Sequence, residues 1–143
     1  MTAEHVLDTG ESQVLFNGRL MARVARESDL ADFLERVRGS FPPPNPVLEF
    51  VHANGNKLYM GLSAIGNHLA FEDASGEPPY FSSVGQWSDD HADQVVEYQM
   101  SEEGHVTEIP LANTVSFEDL LRVATAFLTT GVRPTGLIRW KED

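Results

Sequence analysis

No cysteine occurs in the 143 residues, which excludes a disulfide framework, a thiolate metal site and a thiol nucleophile together. Basic residues are scarce and unevenly placed. Between Leu58 and Leu121 there is no Lys or Arg, while Glu72, Asp73, Glu77, Asp89, Asp90, Asp93, Glu97, Glu102, Glu103, Glu108, Glu118 and Asp119 all fall in that stretch. The rest of the chain is balanced, so the whole net charge of −12 resides in this middle. A one-signed field of this kind repels nucleic acid and anionic lipid and attracts basic partners or cations. No apolar run approaches membrane-spanning length, and the opening M-T-A-E-H-V-L-D-T-G-E-S has neither a basic n-region nor an apolar h-region, so cytoplasmic residence is expected. Catalytic signatures are missing as well. There is no G-x-S-x-G elbow, no G-x-x-x-x-G-K, no G-x-G-x-x-G and no H-E-x-x-H, and Ser82-Ser83 stands beside no recognisable base.

What is present suffices for one ordinary domain over residues 1–143, with 41% hydrophobic residues to build its core. Its clearest element starts at Ser116. In S-F-E-D the Ser116 hydroxyl can take the Asp119 amide while the Asp119 carboxylate reaches back, as in a capping box. Phe117, Leu120, Leu121, Ala124, Phe127 and Leu128 follow at helical period, Gly131 supplies a stop, and Pro134 prevents resumption. Leu137, Ile138 and Trp140 then suggest a short strand ending in the polar Lys141, Glu142 and Asp143, with Trp140 beneath the helix. An earlier helix is expected where Leu30, Phe33, Leu34 and Val37 repeat before Gly39, capped by Ser28 or Asp29. The proline-rich Phe41 to Pro46 ends it and acts as a spacer.

Strands fill the remainder. Asn17-Gly18 suggests an N-terminal hairpin. Val47 to Ala53 and Lys57 to Ser63 flank Asn54-Gly55-Asn56, and a three-residue loop there pairs Phe50 with Met60, Leu48 with Leu62 and His52 with Leu58, which keeps the apolar side chains on one face. Asn67 to Phe71, Tyr80 to Val84, and a second hairpin of Gln94 to Met100 with His105 to Ile109 complete the series. This order predicts an α+β fold: a curved antiparallel sheet of about six or seven strands with two helices packed on one face.

The densest group of possible metal ligands, Asp89-Asp90-His91-Ala92-Asp93, lies in one loop and lacks convergent partners, so neither metal nor cofactor is expected. His52 and His68 stand on strands that could bring them face to face across the sheet, although an isolated strand histidine is ordinarily structural. Trp87 is more suggestive. A large aromatic in a polar loop can be a lid on the core, or an interface anchor rimmed by charge. The candidate binding surface is therefore Glu72, Asp73, Tyr80, Trp87, Asp89, Asp90, His91 and Asp93.

The string E-I-P-L-A-N at Glu108 to Asn113, then S-F-E-D-L-L and A-F-L-T-T-G-V-R-P-T-G-L-I-R-W at Ala126 to Trp140, resembles the C-terminal signature of immunity protein family 1 of bacterial polymorphic toxin systems. Y-F-S-S-V-G at Tyr80 to Gly85 and V-E-Y at Val96 to Tyr98 are similar to that family's central strands, extending the resemblance over roughly Leu48 to Trp140. The resemblance implies a small α+β protein, encoded beside its toxin, that binds and blocks it. The toxin is often a nucleic-acid deaminase, whose need to hold a polyanionic strand implies a basic substrate groove that an acidic protein could occupy. No catalytic residue is implied, and neither nucleic acid nor membrane is expected as a direct partner. Two other classes stay open. A small-ligand-binding or hydrolytic domain would be marked by a deep pocket with converging polar groups, and a secretion chaperone or adaptor would leave its client's activity intact.

Overall fold

The computed structural model describes residues 11–40, 45–87, 90, 93–101 and 103–143. In chain order they form β1 (Ser12–Phe16), β2 (Arg19–Val24), α1 (Glu27–Ser40), β3 (Val47–Val51), β4 (Lys57–Gly61), β5 (His68–Glu72), β6 (Phe81–Val84), β7 (Val95–Gln99), β8 (Val106–Pro110), a single 3-10 turn at Leu111–Asn113, α2 (Phe117–Thr130) and β9 (Arg139–Glu142). Every second residue of β1, β3, β4 and β5 is buried, so Val14, Phe16, Leu48, Phe50, Leu58, Met60, Leu69 and Phe71 share one apolar face. The sheet is antiparallel throughout, seven strands in the order β2-β1-β3-β4-β5-β6-β9, and both helices lie on that apolar face. The α+β architecture is as the sequence predicts.

The N-terminal hairpin also forms. Asn17 and Gly18 both take positive φ, 51° and 77°, which a tight two-residue turn between twisted strands requires. In α1 the four apolar positions are buried, but the helix starts earlier than the expected caps. The amides of Asp29 and Leu30 both bond to the Arg26 carbonyl, so Ser28 and Asp29 lie within the first turn. Of the expected Phe41 to Pro46 spacer, residues 41–44 fall outside the described residues.

Ser116 caps α2 by accepting the Asp119 amide at 3.0 Å. The reciprocal half of the box is replaced, because the Asp119 carboxylate takes Arg122 at 3.1 Å. Asp is one methylene shorter than the Glu of a full capping box, so its carboxylate is less suited to reach back. The buried stripe runs through Leu120, Val123, Ala124 and Phe127, with Phe117, Leu121 and Leu128 half-buried at its borders. It is thus rotated to centre on Val123, and Gly131 ends the helix in the left-handed conformation, φ 73°.

Three expectations about strands are corrected. The β3–β4 hairpin keeps its apolar face but shifts by two in register, pairing Phe50 with Leu58 and Leu48 with Met60. The loop is Ala53-Asn54-Gly55, closed by the His52 amide on the Asn56 carbonyl at 2.9 Å. Gly55, at φ 95°, occupies the third loop position, where a three-residue hairpin needs a left-handed residue. The closing strand begins at Arg139, not Leu137, and its charged residues suit an exposed sheet edge. Finally, the second hairpin forms as expected but stands as a separate two-stranded ribbon of β7 and β8, because β9 takes the free edge of β6.

The ribbon packs across the sheet from the helices. Val47, Gly61 and His68 lie side by side in register on the outer face, and a Cβ on Gly61 would meet the Tyr98 ring at 2.9 Å. Only a glycine leaves room there. Val96, Tyr98 and Leu111 form a small second core against Val47, and the Tyr98 hydroxyl donates to the Gly66 carbonyl at 2.6 Å. His68 is therefore beside Tyr98 on the outer face, while His52 is beside Phe127 on the helix face. The two histidines do not meet.

These positions rank core truncations. Phe127→Ala, at a fully buried ring, should cost about 3–5 kcal/mol. Trp140 is half-buried at the sheet edge, with Nε1 donating to the Pro134 carbonyl at 2.7 Å. Trp140→Ala should accordingly cost less, about 2 kcal/mol. Urea midpoints that coincide for the two variants would contradict this placement.

Candidate functional site

Antiparallel strands divide the candidate residues between the two ends of the sheet. Chain direction in β5 and β6 places Glu72, Asp73 and Tyr80 at one end and Trp87 at the other. At the first end these residues hold the fold together. The Asp73 carboxylate accepts the Ser75 hydroxyl and amide, which keeps its pKa below the ordinary value, and the Tyr80 hydroxyl donates to the Gly76 carbonyl at 2.7 Å. The Nδ2 groups of Asn54 and Asn56 both donate to the Gly131 carbonyl, at 2.9 and 2.7 Å, and His52 Nε2 donates to the Leu128 carbonyl at 3.1 Å. That donor role is set by the other nitrogen, since His52 Nδ1 accepts the Asn54 amide. Polar groups here close the C-terminal end of α2.

At the opposite end lies a groove of about 810 Å³ between the last turns of α1, the first turn of α2 and the segments 63–67, 84–87 and 137–139. Trp87 stands at its border. The indole Nε1 donates to the Thr114 carbonyl and Oγ1 at 3.2 and 3.0 Å, yet the side chain stays 38% exposed. Ile65, 63% exposed, lines the same groove. Gly85 permits this packing, because a Cβ there would fall 1.9 Å from the Thr114 carbonyl oxygen. One edge of the indole is thus bonded to the fold, while part of the side chain reaches solvent. Asp90 and Asp93 are exposed in the stretch that follows Trp87, whereas Asp89 and His91 lie outside the described residues.

Several of the polar groups lining the groove are engaged within the fold. Asn67 accepts the Ser63 amide and donates to the Val115 carbonyl, both at 3.2 Å. The Ser63 hydroxyl accepts the Ile65 amide, Thr114 Oγ1 donates to the Leu111 carbonyl, and Ser116 caps α2. Arg38 lies 4.0 Å over the Phe117 ring and pairs with Glu35 at 3.4 Å. None of these is a nucleophile held by a base. Among the described residues there is no group of three or more His, Asp or Glu able to hold a metal ion.

Several groove residues escape sequence reasoning. Arg38, Ile65, Phe117 and Arg139 come from four separate elements and share no local pattern. Only Gly66 and Gly85 hinted at a close approach, and both face Thr114.

The family model for Immunity protein Imm1 matches residues 21–142, from within β2 to the last residue of β9. The chain belongs to the Imm1 family of immunity proteins. A search of curated proteins returns no match. Membership in Imm1 assigns the chain an immunity function, implies a cognate toxin as partner and points away from catalysis. The matched span includes the whole groove and the ribbon.

Ribbon docking gives this Imm1 chain a pH dependence. Burial lowers the His68 pKa to about 4, outweighing the opposing influence of Asp143. The unfolded chain binds a proton near 6.5 that the folded chain refuses, so stability is full above that pH and falls as pH drops toward 4. The loss should approach roughly 3 kcal/mol, and His68→Gln should remove most of it. Urea midpoints at pH 7 and pH 4.5 for both proteins check this, and equal acid losses would rule out His68 as the source.

Proposed function

We propose that this immunity protein acts in the cytoplasm by binding a cognate toxin enzyme and occluding its substrate groove, and that the toxin is a nucleic-acid deaminase. The observation that carries the proposal is the half-exposed Trp87, fastened to Thr114 and followed by exposed Asp90 and Asp93, in a stretch of chain without a basic residue. A deaminase has to hold a polyanionic strand near its catalytic centre, which favours a basic groove. The exposed carboxylates of Asp90 and Asp93 beside a partly exposed aromatic complement such a groove in charge. Engagement of the groove hydroxyls of Ser63, Thr114 and Ser116 within the fold favours binding over hydrolysis. Blocking the toxin, instead of merely escorting it, is what protection of the cell requires.

Charge and aromatic make separable contributions. Long-range attraction mainly raises the association rate and weakens with salt, whereas a packed anchor mainly sets dissociation. Asp90→Lys with Asp93→Lys should slow association with the toxin domain encoded by the adjacent reading frame and flatten its salt dependence. Trp87→Ala should speed dissociation, costing about 2 kcal/mol, with the circular dichroism spectrum unchanged. Wild-type kinetics and full protection of cells by both variants would move the interface away from this face.

A further inference from the structure

The ribbon has one face on the protein and one in solvent. Val96 and Tyr98 point inward, while Val95 and Glu97 of β7 and Val106, Glu108 and Pro110 of β8 point outward. Register sets Glu97 directly opposite Glu108, with Val95 opposite Pro110 on one side and Gln99 opposite Val106 on the other. Val95 and Val106 are 50% and 52% exposed, so the two carboxylates sit between apolar side chains that nothing in the described structure covers. Like charges at directly opposed positions, whose Cβ atoms are about 4.5–5.5 Å apart, destabilise a ribbon. Neither carboxylate is paired with a cation among the described residues. The free protein thus carries a repulsion that a bound cation would turn into attraction.

We infer that this outward face of the β7–β8 ribbon is a second contact surface for the toxin, taking an arginine side chain between Glu97 and Glu108 with the flanking apolar atoms of the toxin resting on Val95 and Val106. The inference rests on the immunity reading and extends it to a particular chemical group. Arginine fits better than lysine, because its planar guanidinium carries five N–H donors and can bond two carboxylates at once. An enzyme that holds a phosphate backbone presents such arginines, and a pair of fixed carboxylates offers them acceptors in place of phosphate oxygens. The ribbon that carries the pair is also fastened to the rest of the fold. The Gln99 amide donates to the Asn45 carbonyl at 2.7 Å, Asn45 Nδ2 donates to the Glu97 carbonyl at 3.1 Å, and Tyr98 anchors the inner face.

Opposite signs on stability and binding make the proposal testable. The toxin domain from the adjacent reading frame, catalytically inactivated, is titrated against the wild type and the double variant Glu97→Gln/Glu108→Gln. Affinity should fall roughly ten- to a hundredfold, as for loss of charge-assisted hydrogen bonds. The melting temperature of the free double variant should rise by about 1–3 °C as the cross-strand repulsion disappears. Glu103→Gln, an exposed carboxylate in the ribbon's turn, controls for net charge and should leave affinity within about twofold. A double variant that binds like the wild type, or weakens only as much as Glu103→Gln, overturns the inference. So does a double variant less stable than the wild type, which would make the carboxylates structural. Failure of the wild type itself to bind the toxin is a different result, and it would remove the immunity reading along with this one.

Discussion

The fold depends on the seating of α2 in the apolar face of the sheet. Phe127 meets Phe50, His52 and Phe71 edge-on, with ring centroids 5.2, 5.7 and 6.1 Å away. Edge-to-face packing orients a helix as well as burying it, since a turned ring loses the favourable quadrupole geometry. The helix is also fixed lengthwise. Ser116 satisfies an amide at its start, and Asn54, Asn56 and His52 satisfy carbonyls at its end, where its unpaired C=O groups would otherwise be left without partners.

That fixation separates the two ends of the molecule by role. At the Gly131 end, the β3–β4 hairpin reaches both the end of α2 and the β5–β6 loop: Asn56 bonds the Gly131 carbonyl with one atom and the Ala74 amide with another. Polar side chains there are consumed by structure. At the Ser116 end, the first turn of α2 stands away from the segments 63–67 and 84–87, and the gap between them is the groove bordered by Trp87.

The acidic character of the middle chain acquires a shape through the ribbon. Tyr98, fully buried with its hydroxyl on the Gly66 carbonyl, fastens β7 and β8 to the outer face of the sheet, and burial keeps its phenol well above the ordinary pKa and therefore neutral. The carboxylates of Glu97 and Glu108 are consequently held on the opposite side of the ribbon, where the field they produce is directed at solvent and at whatever approaches from it.

By itself the sequence determined those features that depend on neighbours along the chain. A period of 3.6 marked both helices, a period of two marked the buried face of the sheet, Ser116 and Gly131 marked where α2 begins and ends, and the absence of basic residues from Leu58 to Leu121 marked the sign of the surface. The Imm1 signature was legible in the same local strings. Local energetics are enough to specify such elements, because capping, amphipathicity and turn conformation are settled within a few residues. Tertiary structure decided what depends on distant pairing. The β3–β4 register turned on which loop position Gly55 would occupy, and the sequence pattern kept the same face under either choice. The fate of the second hairpin turned on β9 taking the edge of β6, a pairing of strands more than fifty residues apart in the chain. The site followed from those outcomes. Trp87 parted from Tyr80, His52 from His68, and Glu97 met Glu108, because a strand's direction and register are set by the global burial of its apolar face and not by the residues that end up sharing a surface.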